Sequence, residues 1–158
     1  MSFSGIGYDC HRFAAGRRLV LGGVWIPSER GLEGHSDADV LTHAVIDALL
    51  GAAGLGDIGE HFPDTDPRYR DADSLELLET VLTTVIVAGF DVENIDGTVI
   101  MEAPKLGPHR LEIRERLALA LNLPVGRVNV KATTGEGMGF VGRGEGVAAL
   151  AVASLSRR

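Results

Sequence analysis

The chain has 158 residues, 45% of them hydrophobic and 23% charged, which suits one globular domain over residues 1–158 with a core that needs no cross-links. A formal net charge of −7 argues against a nucleic-acid binder, which presents a basic face, and the single Cys10 excludes an internal disulfide and fits a reducing compartment. No apolar run is long enough to span a membrane, and Met1–His11 lacks the basic and apolar regions of a secretion signal, so the expected location is cytoplasmic.

Phe3–Asp9 reads as a strand, and Arg18–Ile26 as a second, in which Gly22-Gly23 predicts a bulge or a close backbone approach. Ser36 or Asp37 is placed to cap a helix over Ala38–Ala53 whose apolar face is Val40, Leu41, Ala44, Val45, Ala48 and Leu49. Gly54–Ala72, rich in Gly, Asp and Pro, reads as a long loop of the kind that is usually functional. Asp73 or Ser74 caps a second helix that ends near Gly89. Asp96–Glu102 alternates like a strand, Pro108 opens a third helix that stops before Pro124, and Arg127–Thr133 and Gly146–Ser154 close the chain as strands.

This order neither alternates nor segregates helices and strands. It predicts an α+β fold, a two-layer sandwich of a mixed β-sheet with helices on one face. The last strand, Val147–Leu155, is apolar on both sides, so its second face is expected to be buried against other copies of the chain.

Asp9 and His11 are two apart on a predicted strand and leave it on the same face, whereas Cys10 points the other way. His35, Asp39, His43 and Asp47 recur every fourth residue, near one side of the first predicted helix. One carboxylate and two imidazoles suit zinc, and three protein ligands leave a fourth position for a substrate oxygen. The plainer alternative makes His43 a hydrogen-bonded histidine and Asp9 a strand-end cap. Spacing does not decide between His35 and His43 as the ligand.

Gly137, Gly139 and Gly142 have the form GxGxxG, but a dinucleotide site needs a following helix and a second parallel strand. Only 16 residues follow Gly142 and they read as a strand, so that reading fails. Tight turns or a plain hairpin connection remain, with Arg143 and Glu145 as an anion clamp or an interface ion pair. Thr133-Thr134-Gly135-Glu136 is either a polar strand end or a group able to hold a phosphate and a magnesium ion.

Longer stretches are more specific. Gly7–Phe13, Gly34–His43, Asp47–Gly51, Gly56–Gly59, Phe62–Asp66, Val130–Thr134 and Gly142–Gly146 together resemble the 2-C-methyl-D-erythritol 2,4-cyclodiphosphate synthase family, in its order and over nearly the whole chain. The resemblance implies a homotrimer whose sheet faces meet at its axis, with active sites between neighbouring subunits. It implies the substrate 4-diphosphocytidyl-2-C-methyl-D-erythritol 2-phosphate, cyclised with loss of CMP by a phosphorus–oxygen lyase of the non-mevalonate isoprenoid pathway.

By position, Asp9, His11 and His43 would hold zinc, and Glu136 a magnesium or manganese ion on the diphosphate. His35 and Thr134 would stabilise the transition state. Asp9, His11, Ser36, Asp57, Ile58, Gly59, Phe62, Pro63, Asp64, Thr65 and Asp66 would contact the methylerythritol, its phosphate or the ribose, the loop acting as a lid. Lys105, Leu106, Ala132 and Thr133 would frame the nucleotide, and Phe140 and Arg143 would line the site or the cavity near the threefold axis. Asp39 is read as orienting a ligand histidine or as a first-turn acid. Gly107 stands where the family commonly has a larger apolar residue. On the same ligands, a zinc phosphohydrolase is the competing enzyme reading, and a trimer that binds isoprenoid diphosphates is the non-enzyme one.

Overall fold

The computed structural model describes residues 1–158. The chain opens with strand β1 (Ser2–Ala15), which runs past its predicted end at Asp9. Arg18–Ile26 is not one strand. It folds as a hairpin of β2 (Leu19–Leu21) and β3 (Val24–Ile26), with Gly22 and Gly23 as its two-residue turn. Both glycines have positive φ, 57° and 75°, the backbone that such a turn demands at both central positions. A short strand β4 (Arg30–Leu32) follows that the sequence did not announce.

Helix α1 spans Val40–Ala53 and starts later than predicted. Its cap is Asp39, not Ser36 or Asp37, and Ala38 just before it is held at φ 57°, which no helix continues. His35 and Asp39 therefore precede the helix, and only His43 and Asp47 lie on it. The predicted loop Gly54–Ala72 contains a short helix α2 (Ile58–His61) and a 3-10 turn (Pro67–Tyr69), capped by Asp57 and Asp66. Helix α3 (Ser74–Val87) has Asp73 as its cap.

Strand β5 (Phe90–Ile100) begins six residues before the predicted Asp96. A register shift between Val92 and Asn94 breaks the alternation that would have revealed its first half. A 3-10 turn at Gly107–His109 leads into α4 (Arg110–Ala120), and then come β6 (Val128–Thr133), a single helical turn α5 (Gly139–Gly142) and β7 (Gly146–Arg157).

Five strands form one mixed sheet in the order β4-β1-β7-β5-β6, antiparallel except for the parallel β5–β6 pair. β6 and β7 both pair with β5 and not with each other, so the glycine-rich segment between them is no hairpin connection.

α1 packs on β1 and β7 and also against α3. Little of its circumference meets water, and eleven of its residues are buried. Its approach to β1 is close because Gly5 and Gly7 face it. Val147, Ala149, Ala151, Ala153 and Leu155 of β7 belong to the same core. The opposite face of the sheet carries no helix. Ile6 stands opposite Val152 and Tyr8 opposite Leu150, and all four are exposed, from 70% at Ile6 to 37% at Leu150.

Candidate metal centre and the two clefts

Asp9 and His11 continue the α1-facing side of β1 beyond Gly7, and His43 lies on the first turn of α1 beside Ala44. The three side chains meet. His11 Nε2 is 2.9 Å and His43 Nδ1 3.0 Å from Asp9 Oδ2, and the two ring nitrogens are 3.4 Å apart. One ligand atom from each residue lies within 4.8 Å of the others, an arrangement positioned to hold one metal ion. His11 Nδ1 donates to the carbonyl oxygen of Glu33 at 2.8 Å, which leaves the Nε2 lone pair pointing into the cluster. His43 turns Nδ1 inward and Nε2 outward, toward the Ser36 and Ser74 hydroxyls.

Burial alone would raise the Asp9 carboxyl, but hydrogen bonds and charge from His11 and His43 outweigh it and bring it from 3.8 down to about 2. Burial likewise disfavours the His11 cation, yet the Asp9 carboxylate and the Glu33 carbonyl lift its pKa above the ordinary 6.5. Both shifts describe one charge pair. A metal ion would take the place of the protons in this cluster, with one carboxylate and two imidazoles as its donors.

A cleft of about 480 Å³ opens above this cluster. His35 and Ser36 line one wall, and Ile58, Gly59, Phe62, Pro63 and Asp64 form another. His35 is not in the cluster; its Nε2 donates to the Asp66 carbonyl oxygen at 3.0 Å, tying the cleft wall to the Phe62–Asp66 loop. Asp57, Thr65 and Asp66 fall outside the lining. Asp57 caps α2 through the Glu60 N–H, Thr65 is exposed, and the Asp66 carboxylate pairs with Arg68 at 2.7 Å. Asp39 does not orient a histidine. It is fully buried and accepts from Gly22 N, Gly23 N, Thr42 N and the Thr42 hydroxyl, locking the β2–β3 turn onto α1.

Three contributors escaped sequence reasoning. Tyr69 and Leu77 line the cleft, and Ser74 touches His43. Tyr69 carried a faint signal as an aromatic near Phe62, against which it packs edge-on at 5.3 Å. Ser74 had none, since its helix cap role explained it fully.

Lys105, Leu106, Ala132, Thr133 and Thr134 line a second cleft of about 300 Å³ at the ends of β5 and β6. It shares no lining residue with the first. A Cβ at Gly107 would meet nothing within 4 Å, so the glycine leaves this cleft open on that side. Glu102 accepts from the Gly135 N–H, and the Thr134 hydroxyl accepts from the Glu136 N–H at 3.2 Å, shaping a turn from which the Glu136 side chain is exposed. Phe140 lines a small hollow with Cys10, His11 and Arg12, and Arg143 pairs with Glu145 at 3.0 Å. Thr134 and His35, expected to act on one transition state, thus sit in different clefts of one chain.

The YgbB family model matches residues 3–156. A relative from Anaeromyxobacter sp. (strain Fw109-5), the bifunctional enzyme IspD/IspF, is 62% identical over 97% of this chain, which spans 39% of that relative's length. The 2-C-methyl-D-erythritol 2,4-cyclodiphosphate synthase of Salinibacter ruber is 60% identical over 96% of each chain. A solved structure of a synthase of that name, in a form bound to CDP, superposes with a TM-score of 0.89 at 40% identity, covering 97% of this chain and 99% of its own.

Proposed function

The chain belongs to the YgbB family, and from that premise we propose that it makes the cyclic diphosphate for which its full-length relatives are named. It converts 4-diphosphocytidyl-2-C-methyl-D-erythritol 2-phosphate to 2-C-methyl-D-erythritol 2,4-cyclodiphosphate and CMP, a step in non-mevalonate isoprenoid biosynthesis. An oxygen of the 2-phosphate attacks the β-phosphorus, and the bond from that phosphorus to the CMP oxygen breaks. In class it is a phosphorus–oxygen lyase. The observation that carries the reading is the convergence of Asp9, His11 and His43 at the floor of a cleft, in a chain that shares family sequence end to end.

The nucleophile belongs to the substrate, so the protein's task is to align attacking oxygen and phosphorus and to balance charge. Asp9, His11 and His43 would hold a zinc ion, which would supply Lewis acidity toward the phosphoryl group. Glu136, with an exposed carboxylate, would hold the magnesium or manganese ion that accompanies the diphosphate. His35 and Ser36 face the methylerythritol phosphate, and Phe62–Asp66 cover it. Lys105, Leu106, Ala132 and Thr133 receive the cytidine, and Thr134 donates toward the diphosphate.

Two disjoint clefts call for a second copy of the chain. The uncovered apolar rows Ile6–Val152 and Tyr8–Leu150 supply the contact. In a homotrimer, the metal cleft of one subunit joins the nucleotide cleft of its neighbour into one site.

Incubation with the cytidine substrate, Zn²⁺ and Mg²⁺ tests this. CMP and the cyclic diphosphate are expected in equal amounts. Free phosphate without the cyclic product, or no CMP from folded, metal-loaded protein, overturns it.

A further inference from the structure

We propose that Ser74 and Asp37 form a positioning relay behind the metal centre: Asp37 orients the Ser74 hydroxyl, and Ser74 fixes the His43 tautomer that leaves Nδ1 free for the metal. The inference rests on Asp9, His11 and His43 being the metal ligands.

The direction of each hydrogen bond follows from which groups can only accept. The Asp37 carboxylate receives three donors. Oδ2 accepts the Ser74 backbone N–H at 2.9 Å, and Oδ1 accepts the Asp39 backbone N–H at 3.1 Å and the Ser74 hydroxyl. A carboxylate has no proton to return, so Ser74 spends its O–H on Asp37 and keeps only lone pairs for its other neighbour. That neighbour is His43 Nε2, at 2.8 Å. His43 must therefore donate from Nε2, which leaves Nδ1, 3.0 Å from Asp9, as the nitrogen whose lone pair a metal can take in place of a proton.

Ser74 is fully buried, so no solvent competes for this arrangement. It is also the first residue of α3, where its backbone N–H has no partner within the helix. Asp37 takes up that N–H and the hydroxyl together, so the serine cannot turn.

The relay also separates two serines. His43 Nε2 has one proton, and Ser74 is nearer than Ser36, whose hydroxyl is 3.1 Å away. Ser36 keeps the longer 3.1 Å contact to His43 Nε2 and accepts from Ala38 N at 3.4 Å, and its own O–H, which neither contact uses, can turn into the cleft it lines. Ser74 aims the metal ligand; Ser36 is left for substrate.

A purely structural Ser74 would join α3 to the Asp37 segment and leave metal affinity alone. The test compares wild type, S74A, S74T, D37N and H43A by three readouts: zinc dissociation constant by chelator competition, the visible spectrum of the cobalt-substituted protein, and the melting temperature of the metal-free protein. S74A is expected to weaken zinc by about 10–100-fold and to change the cobalt spectrum. S74T, which keeps the hydroxyl, is expected to restore both. D37N puts an amide NH₂ against at least one of the three donors whichever way it faces, and is expected to weaken zinc as S74A does. Should S74A fail to fold, D37N carries the same criterion. Zinc affinity within about twofold of wild type and an unchanged cobalt spectrum in the folded variant would overturn the relay. If wild type itself binds no zinc, the metal reading fails instead; if H43A loses zinc while S74A keeps it, the relay alone fails.

Discussion

Gly7 and Ala44 touch backbone to backbone: a Cβ on residue 7 would lie 1.8 Å from the Ala44 carbonyl oxygen. This contact between β1 and α1 sits two residues before Asp9 and one residue after His43. It sets how far apart two of the three side chains positioned to hold a metal ion can be. The Gly7→Ala substitution must push strand and helix apart, so it is expected to cost at least about 3 kcal/mol and to lower zinc affinity together with stability. Denaturant unfolding and zinc titration of the same variant check it, and a variant as stable as wild type would show that the contact is slack.

His43→Ala removes one of the three side chains positioned to hold the metal. Zinc affinity is expected to fall by more than the roughly 10–100-fold that follows loss of a supporting partner, with cyclodiphosphate formation lost in parallel. Retained turnover with zinc absent would remove the metal from the reaction.

The charge pair at the centre gives the metal-free protein a pH signature. Asp9 is lowered from 3.8 to about 2, so its contribution, about 2 kcal/mol, is present above 3.8 and fades as pH falls toward 2. His11 is raised above 6.5, so its contribution is complete below 6.5 and fades as pH rises through the raised value. The pair therefore stabilises most between about pH 4 and 6.5. In chelator-treated protein, Asp9→Asn is expected to flatten both limbs of the melting-temperature profile; superimposable profiles would contradict the assignment.

Asp39→Ala leaves the buried N–H groups of Gly22 and Thr42 without an acceptor. A cost of about 3 kcal/mol is expected from the lost cap and the unmet donors together. Asp39 meets His43 only through its backbone carbonyl, which accepts the His43 N–H at 3.0 Å and survives the substitution, so zinc affinity in the folded fraction should stay near that of wild type. A strong loss of zinc in well-folded protein would restore Asp39 to the site.

Leu150→Glu puts a charge in the middle of the uncovered sheet face, beside Tyr8. Sedimentation is expected to show trimer for wild type and monomer for the variant, with activity lost because the two clefts no longer meet. A monomeric wild type that turns over substrate would end the shared-site reading.

Much of this was legible in the sequence. The same-face pair Asp9 and His11 and the buried helix carrying His43 were readable, as was the small apolar last strand, because alternation and helical period are local properties of the chain. A Gly-Gly pair suits a bulge, a close approach or a turn alike; neighbours do crowd both glycines, and Asp39, sixteen residues on from Gly23, holds them as a turn. The first half of β5 was hidden by its bulge.

By itself the sequence determined the α+β class, the residues able to bind a cation and, through shared stretches along its length, the family they resemble. Spacing alone left His35 and His43 as rivals and the family resemblance pointed to His43; the tertiary structure brings His43 Nδ1 to 3.0 Å from Asp9, a distance that depends on the Gly7–Ala44 approach between elements far apart in the chain. Only the fold separated His35 from Thr134 and placed Ser74 behind His43. Distances between segments are set by packing, and no local pattern encodes them.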